Sequence, residues 1–127
     1  LQNLSIPFGL DIDPPPADTA ELATALAIEV GIAESTLQQR VGDQDPTTRM
    51  RIRLARALAL GPGVLLVEHP SASLPMQDVA PFGGRLRAVA EARGAAVVSI
   101  TADPTYAASA ASRALHLEPA TGRLRMR

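Results

Sequence analysis

The chain has 127 residues, the length of one ordinary domain. Its 12 basic residues are all arginine, and 13 acidic residues bring the net charge to −1. Without lysine the chain itself offers no Schiff base, no lysine general base and no P-loop lysine. Without cysteine it offers no disulfide, thiolate nucleophile or cysteine zinc site, and the redox compartment stays undetermined. Two histidines, His69 and His116, are too few for a histidine metal cluster. The 46% apolar content suits a packed domain. Alanine is the commonest residue, and the aromatics are only Phe8, Phe82 and Tyr106, so the core must be built closely from small side chains. Balanced charge and the lack of interleaved aromatics argue against a nucleic-acid binder. No apolar run approaches the ~20 residues needed to cross a bilayer. The start Leu1-Gln2-Asn3 has no signal-peptide pattern. It is not methionine, which fits a fragment or a processed product.

In chain order, Leu1 to Leu10 reads as an extended lead-in, and Asp11 to Pro16 as a stiff acidic connector. A helix is predicted from about Asp18, where Asp18 and Glu21 have capping-box spacing and Leu22, Leu26 and Val30 share a face. Gly31 ends it. A short helical stretch is expected over Glu34 to Arg40, then a polar loop over Val41 to Gln44. The next helix has clear signals at both ends: Asp45 as cap, Pro46 at the first helical position, and Gly61-Pro62 beyond the last turn. Met50, Leu54 and Leu58 form its apolar face. Arg49, Arg53 and Arg56 form another, which reads either as a solvated side or as a face for a phosphate or an acidic partner.

From Val64 the pattern changes. Val64-Leu65-Leu66-Val67 is a short apolar run between turn signals, as in a buried parallel strand. A helix over Gln77 to Arg93 ends at Gly94, and Ala96 to Thr101 is a second buried strand. Thr105 to Ser112 forms a short helix. Ala114 to Glu118 and Arg123 to Met126 flank a four-residue turn and predict a β-hairpin. Strand and helix alternation places this half in an α/β sheet.

The order from Arg51 to Leu74 is specific: a basic, alanine-rich helix, Gly61-Pro62, the strand Val64-Leu65-Leu66-Val67, then Glu68-His69-Pro70 and a small-residue turn. With the later strand from Val97 to Thr101, it resembles the nucleotide-binding domain of an ABC transporter, from the helical subdomain to the C-terminus. The resemblance covers most of the chain. It implies an α/β, partial P-loop NTPase (ABC ATPase-like) fold, with a helical-subdomain-like segment over 1–62. The C-terminal α/β part, over 63–127, would be built on a mainly parallel sheet.

The resemblance also identifies site positions, and several depart from the family's residues. The signature Leu-Ser-Gly-Gly-Gln falls at Gln44, Asp45, Pro46, Thr47 and Thr48. Asp45 would set a negative charge beside a γ-phosphate, and Pro46 has no N–H to donate. The Walker B pair Asp-Glu, which supports Mg²⁺ and polarises the attacking water, reads Glu68-His69. Glu68 is one methylene longer than aspartate, which shifts Mg²⁺ geometry. His69 could take a proton near neutral pH, though from a changed position. A polar strand end beside a turn explains the same pair without chemistry. The D-loop Ser-Ala-Leu-Asp reads Ala72-Ser73-Leu74-Pro75. The switch Thr-His-Asp reads Thr101-Ala102-Asp103, where alanine cannot bond a phosphate, and Asp103 before Pro104 suits a helix cap. His116 sits in a later strand as a structural residue. The Walker A loop and the family's glutamine would precede residue 1.

The function implied by the resemblance is an ATP-binding subunit, or a fragment of one, with weak or no hydrolysis. It would couple to a membrane permease, with a second ATP-binding subunit or self-association, and lie in the cytoplasm at the inner face of a membrane. ATP and Mg²⁺ are implied by resemblance only, and neither is expected to bind this chain tightly by itself. The alternative is a non-catalytic structural or regulatory module that keeps the ABC ATPase shape. Open strand edges and uncovered apolar faces predict self-association of the isolated chain.

Overall fold

A computed structural model describes residues 1–126. Residues 2–8 are not extended. Helix α1 spans Gln2–Ser5, and a 3-10 turn continues over Ile6–Phe8. The neighbours Leu4 and Ser5 are both buried, which a strand with alternating faces cannot arrange. Pro7 sits in the first turn of the 3-10 segment, where its fixed φ is favourable and its missing N–H costs nothing.

After the proline connector, α2 runs over Ala17–Glu29. The expected capping box does not form. Pro16 occupies the cap, and the Asp18 carboxylate accepts from the adjacent Thr19 amide at 2.7 Å. The buried stripe runs through Ala23, Leu26, Ala27 and Val30, whereas Leu22 is exposed. Small alanines let α2 approach its neighbours closely, so they displace Leu22 from the packed face. The helix expected over Glu34 to Arg40 is reduced to one 3-10 turn, Glu34–Thr36, and a second covers Val41–Asp43. Leu37 supplies the buried anchor of that stretch, and one turn is enough to seat it. Helix α3, Pro46–Leu58, begins and ends where its caps place it. Ile52, Leu54, Ala55 and Leu58 are buried, Met50 is half-buried, and Arg49, Arg53 and Arg56 are exposed.

Strands β1 (Val64–Glu68) and β2 (Ala96–Ile100) pair in parallel, with Val64 opposite Ala96 and Glu68 opposite Ile100. Helix α4, Met76–Arg93, connects them and stops at Gly94, whose φ of 64° suits a residue without Cβ. Helix α5 spans Pro104–Ala110. The hairpin forms as expected from β3 (Leu115–Glu118) and β4 (Arg123–Met126), with Leu115 opposite Met126. The described sheets are therefore one parallel pair and one antiparallel pair. The fold is mixed α/β with a small parallel sheet, compatible with part of a P-loop NTPase fold.

The two parallel strands are not buried on both faces. Leu65 is buried, and Val67 and Val97 pack against the core. The alternate residues Val64, Leu66, Val98 and Ile100 are 57%, 80%, 54% and 64% exposed. Their side chains share the opposite face, because residues two apart point the same way and the register pairs Leu66 with Val98. Helices α4 and α5 cover one face, and no described element covers the other.

One buried cluster joins both halves, from Leu4, Leu26 and Val30 through Leu54 and Leu58 to Leu65, Phe82, Leu86 and Tyr106. Helix α4 carries the centre of this cluster on Val79, Phe82, Leu86 and Val89. It meets α5 at Gly83, where an added Cβ would lie 2.1 Å from the Ser109 hydroxyl oxygen and 3.3 Å from the Ala110 amide nitrogen. The neighbouring Gly84 has nothing within 4 Å of its own added Cβ. Gly83→Ala is therefore expected to destabilise by about 1–3 kcal/mol through overpacking. Gly84→Ala, which gains helix propensity in open space, is expected to stabilise by about 0.5–1 kcal/mol. Urea unfolding of both variants checks the pair, and equal effects would refute the close α4–α5 crossing.

Candidate functional site

The carboxyl ends of adjacent parallel strands are where α/β sheets usually hold their ligands. Here β1 delivers Glu68 and His69, and β2 leads into Thr101, Ala102 and Asp103. The two strand ends are tied together: the His69 amide donates to the Ile100 carbonyl at 2.8 Å. His69 has φ 44°, in the left-handed region that a residue with a Cβ rarely occupies. Its carbonyl then accepts from the Ala72 amide at 3.1 Å, which closes a turn under buried Pro70 and Ser71. Glu68 and His69 are both exposed, and neither side chain is in a hydrogen bond or ion pair among the described residues.

Asp103 is occupied structurally. Its carboxylate accepts from the Thr105 amide at 2.9 Å and the Tyr106 amide at 3.1 Å, capping α5. The Tyr106 amide, the Ser71 hydroxyl and the Thr105 amide together hold its carboxyl below the ordinary aspartate range. Thr101 Oγ1 accepts from the Asp103 amide at 3.0 Å, fixing the bend. Ala102 is exposed in that bend. Tyr106 lies fully buried behind the site and shares a 3.0 Å hydrogen bond with Ser99 of β2. Burial pushes its hydroxyl above the usual tyrosine range, and the bond to Ser99 partly offsets this.

The signature-equivalent residues sit at the start of α3. Asp45 accepts from the Thr48 amide at 2.9 Å and from the Thr48 hydroxyl at 2.6 Å. The Thr48 hydroxyl and amide hold the Asp45 carboxyl below its usual range. Thr47 is buried, and its hydroxyl donates to Asp78 of α4 at 2.6 Å. No hydrogen bond or ion pair among the described residues joins Asp45, Pro46, Thr47 or Thr48 to Glu68, His69, Ala102 or Asp103. These donors do not fit a γ-phosphate. The Thr48 amide already serves a carboxylate, Pro46 has none, and the Thr47 hydroxyl is engaged across the core. Among the described residues no group of three or more His, Asp or Glu residues is placed to hold a metal ion by itself.

The sequence reading of Asp45 and Asp103 as helix caps matches their hydrogen bonds. Ser71 and the Thr47–Asp78 link escaped it because their partners are remote in sequence, and Tyr106 because its bond to Ser99 crosses from α5 to β2 and no local spacing announces it. The Pro70-Ser71 turn had one available signal, since small residues after a strand end often pack beneath the next βα connection.

No protein-family model matches the chain. Over 85 residues it is 33% identical to the lipoprotein-releasing system ATP-binding protein LolD of Geobacter metallireducens. The match covers 67% of this chain but 37% of that relative, so the chain spans little more than a third of the relative's length. The similarity supports an ABC ATPase-like relationship and goes no further. Among the described residues, no helix is long and apolar enough to cross a membrane.

Three predictions follow from the caps and the turn. Asp45→Ala should cost about 1 kcal/mol by removing the α3 cap, and chemical denaturation of the variant measures it. Asp45 and Asp103 bind protons less readily folded than unfolded. Their stabilisation is therefore complete above the unfolded aspartate value of about 3.9 and is lost as pH falls through the lower folded values. Asp103→Asn should flatten the acid limb of stability against pH below about pH 4; an unchanged acid limb would contradict this. At the strained turn, His69→Gly should raise the unfolding midpoint by relieving the left-handed conformation, worth about 1 kcal/mol. A lowered midpoint would mean that the imidazole makes a stabilising contact.

Proposed function

We propose that the chain is the C-terminal part of an ABC-type ATP-binding subunit with weak or no hydrolysis, working through contacts with a membrane permease. In this reading, 1–62 acts as the helical subdomain and 63–127 as the C-terminal α/β part. The protein lies in the cytoplasm, held at the inner face of a membrane by its permease. The similarity to a lipoprotein-releasing system ATP-binding protein carries the assignment. The order of parts supports it: helix, Gly61-Pro62, β1, the turn after Glu68-His69, α4, then β2.

Weak hydrolysis is inferred from chemistry within the chain. Glu68 and His69 stand where the family places aspartate and glutamate. His69 would lack the carboxylate's charge for polarising water, and Ala102 offers a phosphate no hydrogen bond. The Asp45 carboxylate occupies the α3 N-terminus, so a second anion there would meet like charge as well as a used donor.

That same capped N-terminus favours a second reading, a non-catalytic interaction module that retains the ABC ATPase shape. Calorimetric titration with Mg-ATP of the chain joined to an upstream segment that carries a Walker A loop, read alongside phosphate release, separates the two. Binding without turnover is the expected result for a weak ATP-binding subunit. Absence of binding selects the interaction module, and sustained turnover by the purified protein would overturn weak hydrolysis.

The uncovered face of the β1–β2 pair supports self-association as a partner mode of this chain, since parallel strands are ordinarily covered on both faces. Sedimentation velocity should show a concentration-dependent shift toward larger species, and Leu66→Glu should reduce it. A monomer unchanged across concentration would exclude this.

A further inference from the structure

Three arginines converge on the C-terminal end of α2. Arg93 of α4 takes the carboxylate there, holding Glu29 through two 2.6 Å hydrogen bonds. Arg51 of α3 and Arg85 of α4 meet instead at Gly31, just past the last turn of α2. A Cβ placed on Gly31 would lie 3.8 Å from the guanidinium carbon of Arg51, 3.8 Å from that of Arg85 and 3.5 Å from Arg85 Nε. Two guanidiniums from different helices therefore face one spot, and glycine keeps that spot clear of a side chain.

Part of this arrangement is structural. Arg51 donates one N–H to the Gly31 carbonyl at 2.8 Å, and a cation is stabilising at a helix C-terminus. That bond accounts for a single donor. Arg51 Nε is buried and has no hydrogen-bond partner among the described residues. Neither Arg51 nor Arg85 is in an ion pair among the described residues, whereas Arg87, Arg93 and Arg125 each have a glutamate. A buried donor without a partner carries its full desolvation cost, and adjacent like charges repel. An anion that accepts from both arginines removes both penalties.

We propose that Arg51 and Arg85 bind a phosphomonoester dianion beside Gly31. The ligand class follows from charge: two guanidiniums without a carboxylate present two positive charges, and a phosphomonoester carries nearly two negative ones at neutral pH. A single carboxylate would balance only one of them. Planar guanidinium forks also match phosphate oxygens in pairs. Arg51 is half-buried, which strengthens its attraction for an anion, and Arg85 is exposed, so the ligand enters from its side. The bond from Arg51 to the Gly31 carbonyl screens the negative end of α2 from the phosphate. None of these residues belongs to the strand-end or signature-equivalent positions, so the proposal stands apart from the nucleotide reading.

The test uses the whole chain, glycerol 1-phosphate as the probe and the NMR signals of the arginine Nε–H groups as the readout. At about pH 7.5 and constant ionic strength, the Arg51 and Arg85 signals should shift together and saturate. Arg85→Gln should raise the half-saturating concentration at least about tenfold, the loss of about 1.4 kcal/mol. Binding should also weaken at about pH 5, where the monoester is mainly a monoanion. Arg87→Gln, whose arginine pairs with Glu91, should titrate as wild type. Arg85 is exposed, and circular dichroism verifies that its variant folds. Co-sedimentation with phosphatidic acid vesicles separates two sources of the same group. Co-sedimentation that Arg85→Gln abolishes assigns the phosphate to a lipid headgroup; glycerol 1-phosphate bound without co-sedimentation assigns it to a soluble monoester. The proposal is overturned if neither signal shifts, if sodium chloride at equal ionic strength reproduces the shifts, or if Arg85→Gln or the lower pH leaves the affinity unchanged.

Discussion

The buried stripe of α4 is the constraint on which the other elements depend. Val79, Phe82, Leu86 and Val89 join the cluster that also holds Leu26, Val30, Leu54 and Leu58 from the helical half. The polar ends of α4 reinforce the same joint. At its start, Asp78 accepts the buried Thr47 hydroxyl of α3. At its end, Arg93 grips Glu29 of α2 through two 2.6 Å hydrogen bonds and donates to the Leu58 carbonyl of α3 at 2.8 Å. The Glu29 contact also strengthens the hold of Arg93 on its proton. Helix α4 thereby aligns the α3 N-terminus with the strand-end turn, although those two places share no direct bond.

That alignment gives the strand-end region its character. Three carboxylates of this region are committed to local geometry: Asp45 and Asp103 cap helices, and Asp78 anchors Thr47. The unpartnered groups, Glu68 and His69, are the pair that departs from the family's residues. Asp45 is both altered and structurally committed, whereas Glu68 and His69 are altered and unpartnered, and together they are the basis of the proposed reading of the molecule as a partner in an assembly more than as a hydrolase.

Local signals made much of this legible in the sequence. Asp45-Pro46 and Gly61-Pro62 bracket α3, Gly94 stops α4, and the turn from Pro119 to Gly122 sets the hairpin, since each acts through its own backbone. The failures came where packing outweighed pattern. Leu1 to Phe8 folded as helix because Leu4 and Ser5 are buried side by side. Leu22 was displaced from the core by the alanines around it, and the capping pair Asp18 and Glu21 was preempted by Pro16. The apolar runs of β1 and β2 indicated strands correctly, yet could not reveal that α4 and α5 cover a single face. For the site, residue identity showed what is chemically altered, but Ser71, Tyr106 and the Thr47–Asp78 bond required the fold itself.

The placement of Tyr106 gives the molecule an optical property. It is the chain's one tyrosine, and there is no tryptophan. Its ring is fully buried, and its hydroxyl is bonded to Ser99. The intrinsic fluorescence of the protein therefore arises from a single joint, the seating of α5 against β2. Far-ultraviolet dichroism, by contrast, averages over all the helices. Release of α5 from the sheet and melting of the helical half thus have separate spectroscopic signatures in the unmodified chain, with no introduced label.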